Sequence, residues 1–93
     1  MDPYKILLHP YVTEKTMNFL EGTPVQGQKD GNRLEFIVRR DATKTQIREA
    51  FETLFEVKVE KVNTYIHRDG KHAIIKLRKD FRAEDVALRI GVY

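Results

Sequence analysis

Apolar residues fall along this chain in two rhythms. In the run Arg33 to Arg40, Leu34, Phe36 and Val38 alternate with Glu35, Ile37 and Arg39, the period of two expected of a strand with one face in a core. A few residues later the period changes: Ile47, Ala50, Phe51 and Leu54 recur at i, i+3, i+4 and i+7, which predicts an amphipathic helix. Thr43 and Gln46 stand before it at capping-box spacing, so the helix start is marked as well. Two further strands are expected at Val57 to His67 and His72 to Lys79, paired antiparallel. Between them Arg68-Asp69-Gly70-Lys71 carries the Asp-Gly pair of a tight hairpin turn. Ala83, Val86, Ala87 and Ile90 return to helical spacing, and Gly91 stands where a terminating glycine belongs.

The N-terminal third is less regular. Tyr4 to Leu8 is a short apolar run that reads as a first strand, ended at His9-Pro10 because the residue before a proline avoids the helical region. Thr13 is placed to cap a helix carrying Met17 and Leu20 on one face, with Gly22 as its terminator. Residues 22–32 hold three of the five glycines and one proline with no periodicity, and read as a loop. The predicted order, β-α-β-α-β-β-α, implies an α+β fold: a four-stranded antiparallel sheet with helices packed on its faces, related to ferredoxin-like sheets. Val62, Thr64 and Ile66, with Ala73, Ile75 and Leu77, should face the capped helix. Ile37, Arg39, Asn63, Tyr65, His67, Ile74, Lys76 and Arg78 then fall on the other side. Aromatic and polar groups interleaved with bases on a sheet suit RNA, through phosphate contact and base stacking, unless the first helix covers them.

Composition narrows the reading. Ninety-three residues, 41% hydrophobic and 33% charged, make one domain (1–93), small enough that a bound partner should add to its stability. There is no cysteine, which removes disulfides and thiol chemistry, and no stretch approaches the about 20 apolar residues of a membrane span. The expectation is a soluble cytoplasmic protein. Net charge is only +3, but from Val57 to Lys79 seven bases stand against two acids, so the hairpin is where a polyanion would bind. His9, His67 and His72 lack metal-ligand spacing and are expected at the surface or facing RNA, with no metal and no cofactor. Serine and cysteine are absent as nucleophiles, no phosphate-cradling glycine loop occurs, and the carboxylate pairs Glu49/Glu52 and Glu84/Asp85 lie on polar helix faces. Nothing here indicates an enzyme.

Three blocks carry a resemblance. Leu7 to Met17 (LLHPYVTEKTM), Ala42 to Ile66 (ATKTQIREAFETLFEVKVEKVNTYI) and Gly70 to Val92 (GKHAIIKLRKDFRAEDVALRIGV) resemble, in order, the universal large-subunit ribosomal protein twenty-three family. The order of a P-x-V-T-E-K cap, an A-x-K-x-x-I helix start and a V-x-x-V-N-T strand is specific, although each motif alone is weak. The short hairpin, without the long basic extension of bacterial relatives, points to the archaeal type. The resemblance implies a structural protein of the large ribosomal subunit with helices on both sheet faces. It would bind large-subunit (23S) rRNA in domain III beside the polypeptide exit tunnel, next to ribosomal protein twenty-nine. There it would help form the docking site for the signal recognition particle and the protein-conducting channel.

Carried over residue by residue, Thr13, Lys15, Lys44, Asn63 and Thr64 resemble rRNA-contact positions of that family, and the hairpin bases Arg68, Lys71, Lys76 and Arg78 join them on charge. Glu14 matches an acidic position presented to exit-site factors, and Glu56 is a second candidate. Each has a plainer alternative: Thr13 as a cap, Thr64 as core, Lys44 as a solvated base, Glu14 as a carboxylate favoured by a helix dipole. Two competing functions remain open at this level. One is a small-ligand-binding regulator or enzyme on a ferredoxin-like sheet; the other is a free protein-interaction adaptor.

Overall fold

The structure, a computed structural model, describes residues 2–13 and 31–91. Among the described residues, seven elements follow one another in chain order: α1 (Pro3–Ile6), β1 (Leu7–Pro10), β2 (Arg33–Val38), α2 (Lys44–Phe55), β3 (Val59–His67), β4 (Gly70–Leu77) and α3 (Ala83–Ile90). The strands form one sheet in the order β1-β2-β4-β3, every neighbouring pair antiparallel. The α+β sheet with packed helices expected from the two rhythms is therefore present. The helix expected after Thr13 and the loop at 22–32 lie largely outside the described residues.

The capping box at α2 forms as its spacing requires: the Thr43 hydroxyl accepts from the Gln46 N–H at 3.1 Å, and the Gln46 side chain accepts from the Thr43 N–H at 3.0 Å. Ile47, Ala50, Phe51 and Phe55 then turn inward, where Phe51 meets Phe36 edge-on with ring centroids 5.7 Å apart. They join Leu34, Val38, Ala73, Ile75, Leu77 and the α3 residues Ala83, Val86 and Ala87 in one core. Fully burying an aliphatic or aromatic side chain contributes about 1.5–3 kcal/mol, which makes this side of the sheet the main source of stability. Leu54 lies only partly buried at the margin of that core.

Four local expectations need correction. Tyr4 to Leu8 is not one strand: Asp2 caps a single helical turn, accepting from the Tyr4 N–H at 3.0 Å with Pro3 in the first turn, and the strand begins at Leu7. It also runs through Pro10, which pairs with Phe36; β1 is an edge strand, where a missing N–H is tolerated. In the hairpin the loop is Arg68-Asp69, and Gly70 at φ +135° already pairs with His67, so the glycine supplies the positive φ after the turn rather than inside it. Ile66 does not reach the core and is 55% exposed. Its cross-strand neighbour Lys71 donates to the Ala42 carbonyl, ahead of the first residue of α2, so this row lies at the edge of the helical layer.

β2 departs from its pattern in a more telling way. All residues from Leu34 to Val38 are buried, including Glu35 and Ile37, which point away from the helices. The second face is therefore partly closed over the central strands.

Candidate nucleic-acid interface

Pairing register fixes what lies on that second face. Along β4, His72, Ile74 and Lys76 point to it; across from them on β3 stand Tyr65, Asn63 and Lys61, and on β2 Ile37, Glu35 and Arg33. Three lateral rows result: Ile37-His72-Tyr65, Glu35-Ile74-Asn63 and Arg33-Lys76-Lys61. The last is a row of three cations across three strands. Like charges directly opposite one another repel, and the anion the structure sets beside Lys76 is Glu60, 3.7 Å from its ammonium. Arg33 is not among the residues singled out from the sequence, and Lys61 enters there only as one of the seven hairpin bases. The missing signal was register, since only pairing brings residues 33, 61 and 76 together.

The first row holds the polar centre of the molecule. His72, expected at the surface or on RNA, is instead 1% exposed. Its Nδ1 lies 2.7 Å from a Glu35 carboxylate oxygen and its Nε2 2.7 Å from Asp69 Oδ1. Tyr65 stacks on its ring at 4.8 Å, Tyr11 meets it edge-on at 4.6 Å, and the Tyr65 hydroxyl donates to the same Glu35 oxygen. Periodicity puts Tyr65 and His67 on the second face but does not reach His72, and it cannot show that two carboxylates and two aromatic rings close over that imidazole. Burial works to lower the imidazole pKa, yet the hydrogen bonds and charges of Asp69 and Glu35 outweigh it, so the His72 pKa is raised. Asp69 is held below the usual carboxylate range, first by the hydrogen bond from His72 and further by that from His67, against a smaller opposing effect of desolvation. Tyr65 is pushed well above the usual phenol value by desolvation and by the Glu35 carboxylate.

The sequence candidates are distributed unevenly around this centre. Asn63 is exposed, in the row next to Lys76, and Arg78 is exposed just beyond the end of β4, its N–H donating to the Lys58 carbonyl. Arg68 is exposed in the hairpin loop. Lys71 and Thr64 point to the helical side, both half-buried, and the Lys71 ammonium is held 2.6 Å from the Ala42 carbonyl. Lys44 is exposed as the first residue of α2, close in sequence to that carbonyl. Thr13 is exposed after β1, while Glu14 and Lys15 lie outside the described residues.

Glu56 lies among other carboxylates, with Lys58 beside them. It ends α2 in the left-handed conformation at φ 56°, ψ 48° and, with Glu49, Glu52 and Phe81, lines a shallow groove between α2 and the segment before α3. No helix among the described residues is long and apolar enough to cross a membrane.

The second face offers a lateral row of bases across three strands, and comparison with known proteins supplies the class: a protein of the large ribosomal subunit. The protein-family model described as ribosomal protein L23 matches residues 5–84. Over the full length of both chains, the sequence is 47% identical to the large ribosomal subunit protein uL23 of Methanothermobacter thermautotrophicus. It is 46% identical to that of Methanobrevibacter smithii and 44% to that of Methanosphaera stadtmanae, again end to end. The chain therefore belongs to the ribosomal protein L23 family, with archaeal relatives. It is a structural protein of the large subunit and not an enzyme, located in the ribosome in the cytoplasm, where rRNA and ribosomal components are its partners.

Proposed function

We propose that the chain acts as one rRNA-binding domain on domain III of the large-subunit rRNA beside the exit tunnel, and that its second sheet face makes the principal contact. The observation that carries this reading is the Arg33-Lys76-Lys61 row with Asn63 beside it. A phosphate laid along the row can be met by the Lys61 and Lys76 ammonium groups, and the asparagine amide can hydrogen-bond phosphate or ribose. Arg78 extends this surface at one end and Arg68 at the other. Lys44, with Thr13 and Lys15, supplies a second contact by family resemblance. Lys71 and Thr64 serve mainly inside the fold, as their burial and the Ala42 bond indicate.

The acidic groove at Glu56 supports the docking half of the proposal. A groove in which Glu49, Glu52 and Glu56 outnumber Lys58 is suited to a basic exit-site factor, of which the signal recognition particle and the protein-conducting channel are the candidates, with Glu14 as the other acidic contact. Ribosomal protein twenty-nine is the proposed neighbour.

Binding to a domain III fragment should weaken steeply with salt, with a log–log slope of about −0.7 to −0.9 per neutralised phosphate. Lys61→Ala and Lys76→Ala should each weaken binding and flatten that slope by about one. A slope near zero for the wild-type protein would remove the RNA reading, and unchanged slopes in both variants would move the contact off this face. Glu56→Ala should leave rRNA binding intact while lowering the affinity of ribosomes for the signal recognition particle; equal affinity would take Glu56 out of the docking surface.

A further inference from the structure

At the hairpin end of the second face, His67, Asp69 and His72 bring two imidazoles and a carboxylate together. Their candidate ligand atoms all lie within 4.8 Å of one another: Asp69 Oδ1 is 2.7 Å from His72 Nε2 and 3.0 Å from His67 Nδ1. We propose that these three side chains form a binding site for a divalent transition-metal ion of the zinc class, with water completing the coordination.

Four features support the site beyond the proximity of its ligands. First, the ligand set is chemically right: two imidazole nitrogens and one carboxylate oxygen are the donors that zinc and its neighbours take in open sites, whereas magnesium and calcium prefer oxygen alone. Second, the buried ligand is oriented from behind. His72 Nδ1 faces Glu35, whose side chain is 2% exposed and which also accepts from the Tyr65 hydroxyl. A carboxylate behind an imidazole, itself hydrogen-bonded, is the arrangement that fixes the tautomer and aims the other nitrogen at a metal. Third, the ring cannot swing away, with Tyr65 stacked on one side and Tyr11 edge-on. Fourth, there is a way in: the His67 and Asp69 side chains are 55% and 44% exposed, so an ion can arrive from solvent and meet His72 at their inner edge.

The rearrangement needed is small. Bonds of about 2.0–2.1 Å in a tetrahedral site put neighbouring ligand atoms about 3.3 Å apart. Asp69 Oδ1 must therefore withdraw slightly from His72, and His67 must rotate inward at the end of its strand. The proton on His72 Nε2 leaves to solvent as the metal takes its place, while Nδ1–H keeps its bond to Glu35. Local spacing in the sequence conceals the site because His67 and His72 belong to different strands and converge only through the hairpin register.

The test uses the full chain, free of RNA, so its outcome does not depend on the rRNA reading. Zinc sulfate titrated calorimetrically into the wild-type protein should show one saturable site per chain and raise the melting temperature. Cobalt chloride should give visible ligand-field bands that zinc abolishes. His67→Asn and Asp69→Asn change exposed side chains and should each lower zinc affinity at least tenfold. His9→Asn, at an exposed histidine on the edge strand β1 with β2 between it and His72, should leave it unchanged, and circular dichroism should show all three variants folded. Absence of saturable zinc binding up to millimolar concentration overturns the proposal. So does equal affinity in wild type and His67→Asn, because the ion would then be held elsewhere.

Discussion

The two faces of the one sheet are stabilised by opposite means. The helical side is dry: Phe36, Phe51, Phe55, Ile47 and Ile75 fill it, with no charged group among the core residues. The second side buries Glu35 and His72 at its centre and sets Arg33, Lys76 and Lys61 in a row beside them. A dry core tolerates no vacancy but makes few directional demands, whereas a buried ionic cluster is neutral or costly unless every partner is in place. The first face therefore supplies stability and the second supplies geometry: rigid placement of polar groups on a surface that meets a polyanion.

The largest test of this contrast is Phe51→Ala, which should destabilise by about 3–5 kcal/mol in denaturant unfolding, because the side chain is fully buried against two other rings. His72→Leu should cost about 3 kcal/mol by leaving the buried Glu35 carboxylate without its imidazole partner, held by the Tyr65 hydroxyl. The double change Glu35→Leu with His72→Leu should recover much of that loss. If instead the two costs simply add, the second face is an ordinary core and the contrast fails.

Stability measured against pH, with a chelator present, separates the faces further. The His72 pKa is raised by Asp69 and Glu35, so its contribution is full below the ordinary imidazole value of 6.5 and is lost as pH rises through the raised value. The Asp69 pKa is lowered, so its contribution is present above the ordinary value of 3.8 and is lost as pH falls through the lowered one. The groups facing this pair, Glu35, Tyr65, Tyr11 and His67, come from both strands and from the segment after β1. A maximum between those two limits is expected, and it should flatten on the alkaline side in His72→Leu. The smallest effect belongs to Lys61→Ala: about 0.5 kcal/mol or less, toward greater stability, because it relieves repulsion within the basic row. A clear loss of stability would mean the row is structural rather than a contact surface.

Most of the fold was legible because its signals are local. The Thr43–Gln46 box, the α2 stripe and Gly91 at the end of α3 each declare themselves within a few residues. What was not legible depended on pairing. Alternation in β2 marked Leu34, Phe36 and Val38 as inward but could not show that Glu35 and Ile37 would be covered too. Ile66 carries the same apolar signal as Val62, yet lies at the edge of the helical layer. Of the expected site residues, Lys76 and Arg78 follow from charge and alternation and Asn63 from the resemblance, and Lys76 and Asn63 share the second face. The Lys71 bond to the Ala42 carbonyl has no local signal, because a lysine near a turn looks alike whether it meets solvent or a carbonyl, and the meeting of Arg33 with Lys61 and Lys76 depends on the register of three strands.

Asn32, with its positive φ of 65°, joins parts of the chain that are far apart in sequence. Its amide donates to the carbonyls of Leu77, Arg78 and Phe81, and its side-chain oxygen accepts from the Ala83 N–H at 2.7 Å. Since Arg82 offers α3 no side-chain cap, a residue 51 positions upstream performs that task. Such a long closure is entropically slow to form and comes after the local hairpin and α2. The clasp should thus be absent from the folding transition state. Asn32→Ala is then expected to leave the refolding rate nearly untouched and to accelerate unfolding about five- to thirtyfold, the kinetic equivalent of about 1–2 kcal/mol. Stopped-flow chevrons read both arms, and a slowed folding arm would place Asn32 in the nucleus instead. One side chain at the start of β2 would then act as a latch, setting how long the last helix stays closed rather than how quickly the protein is made.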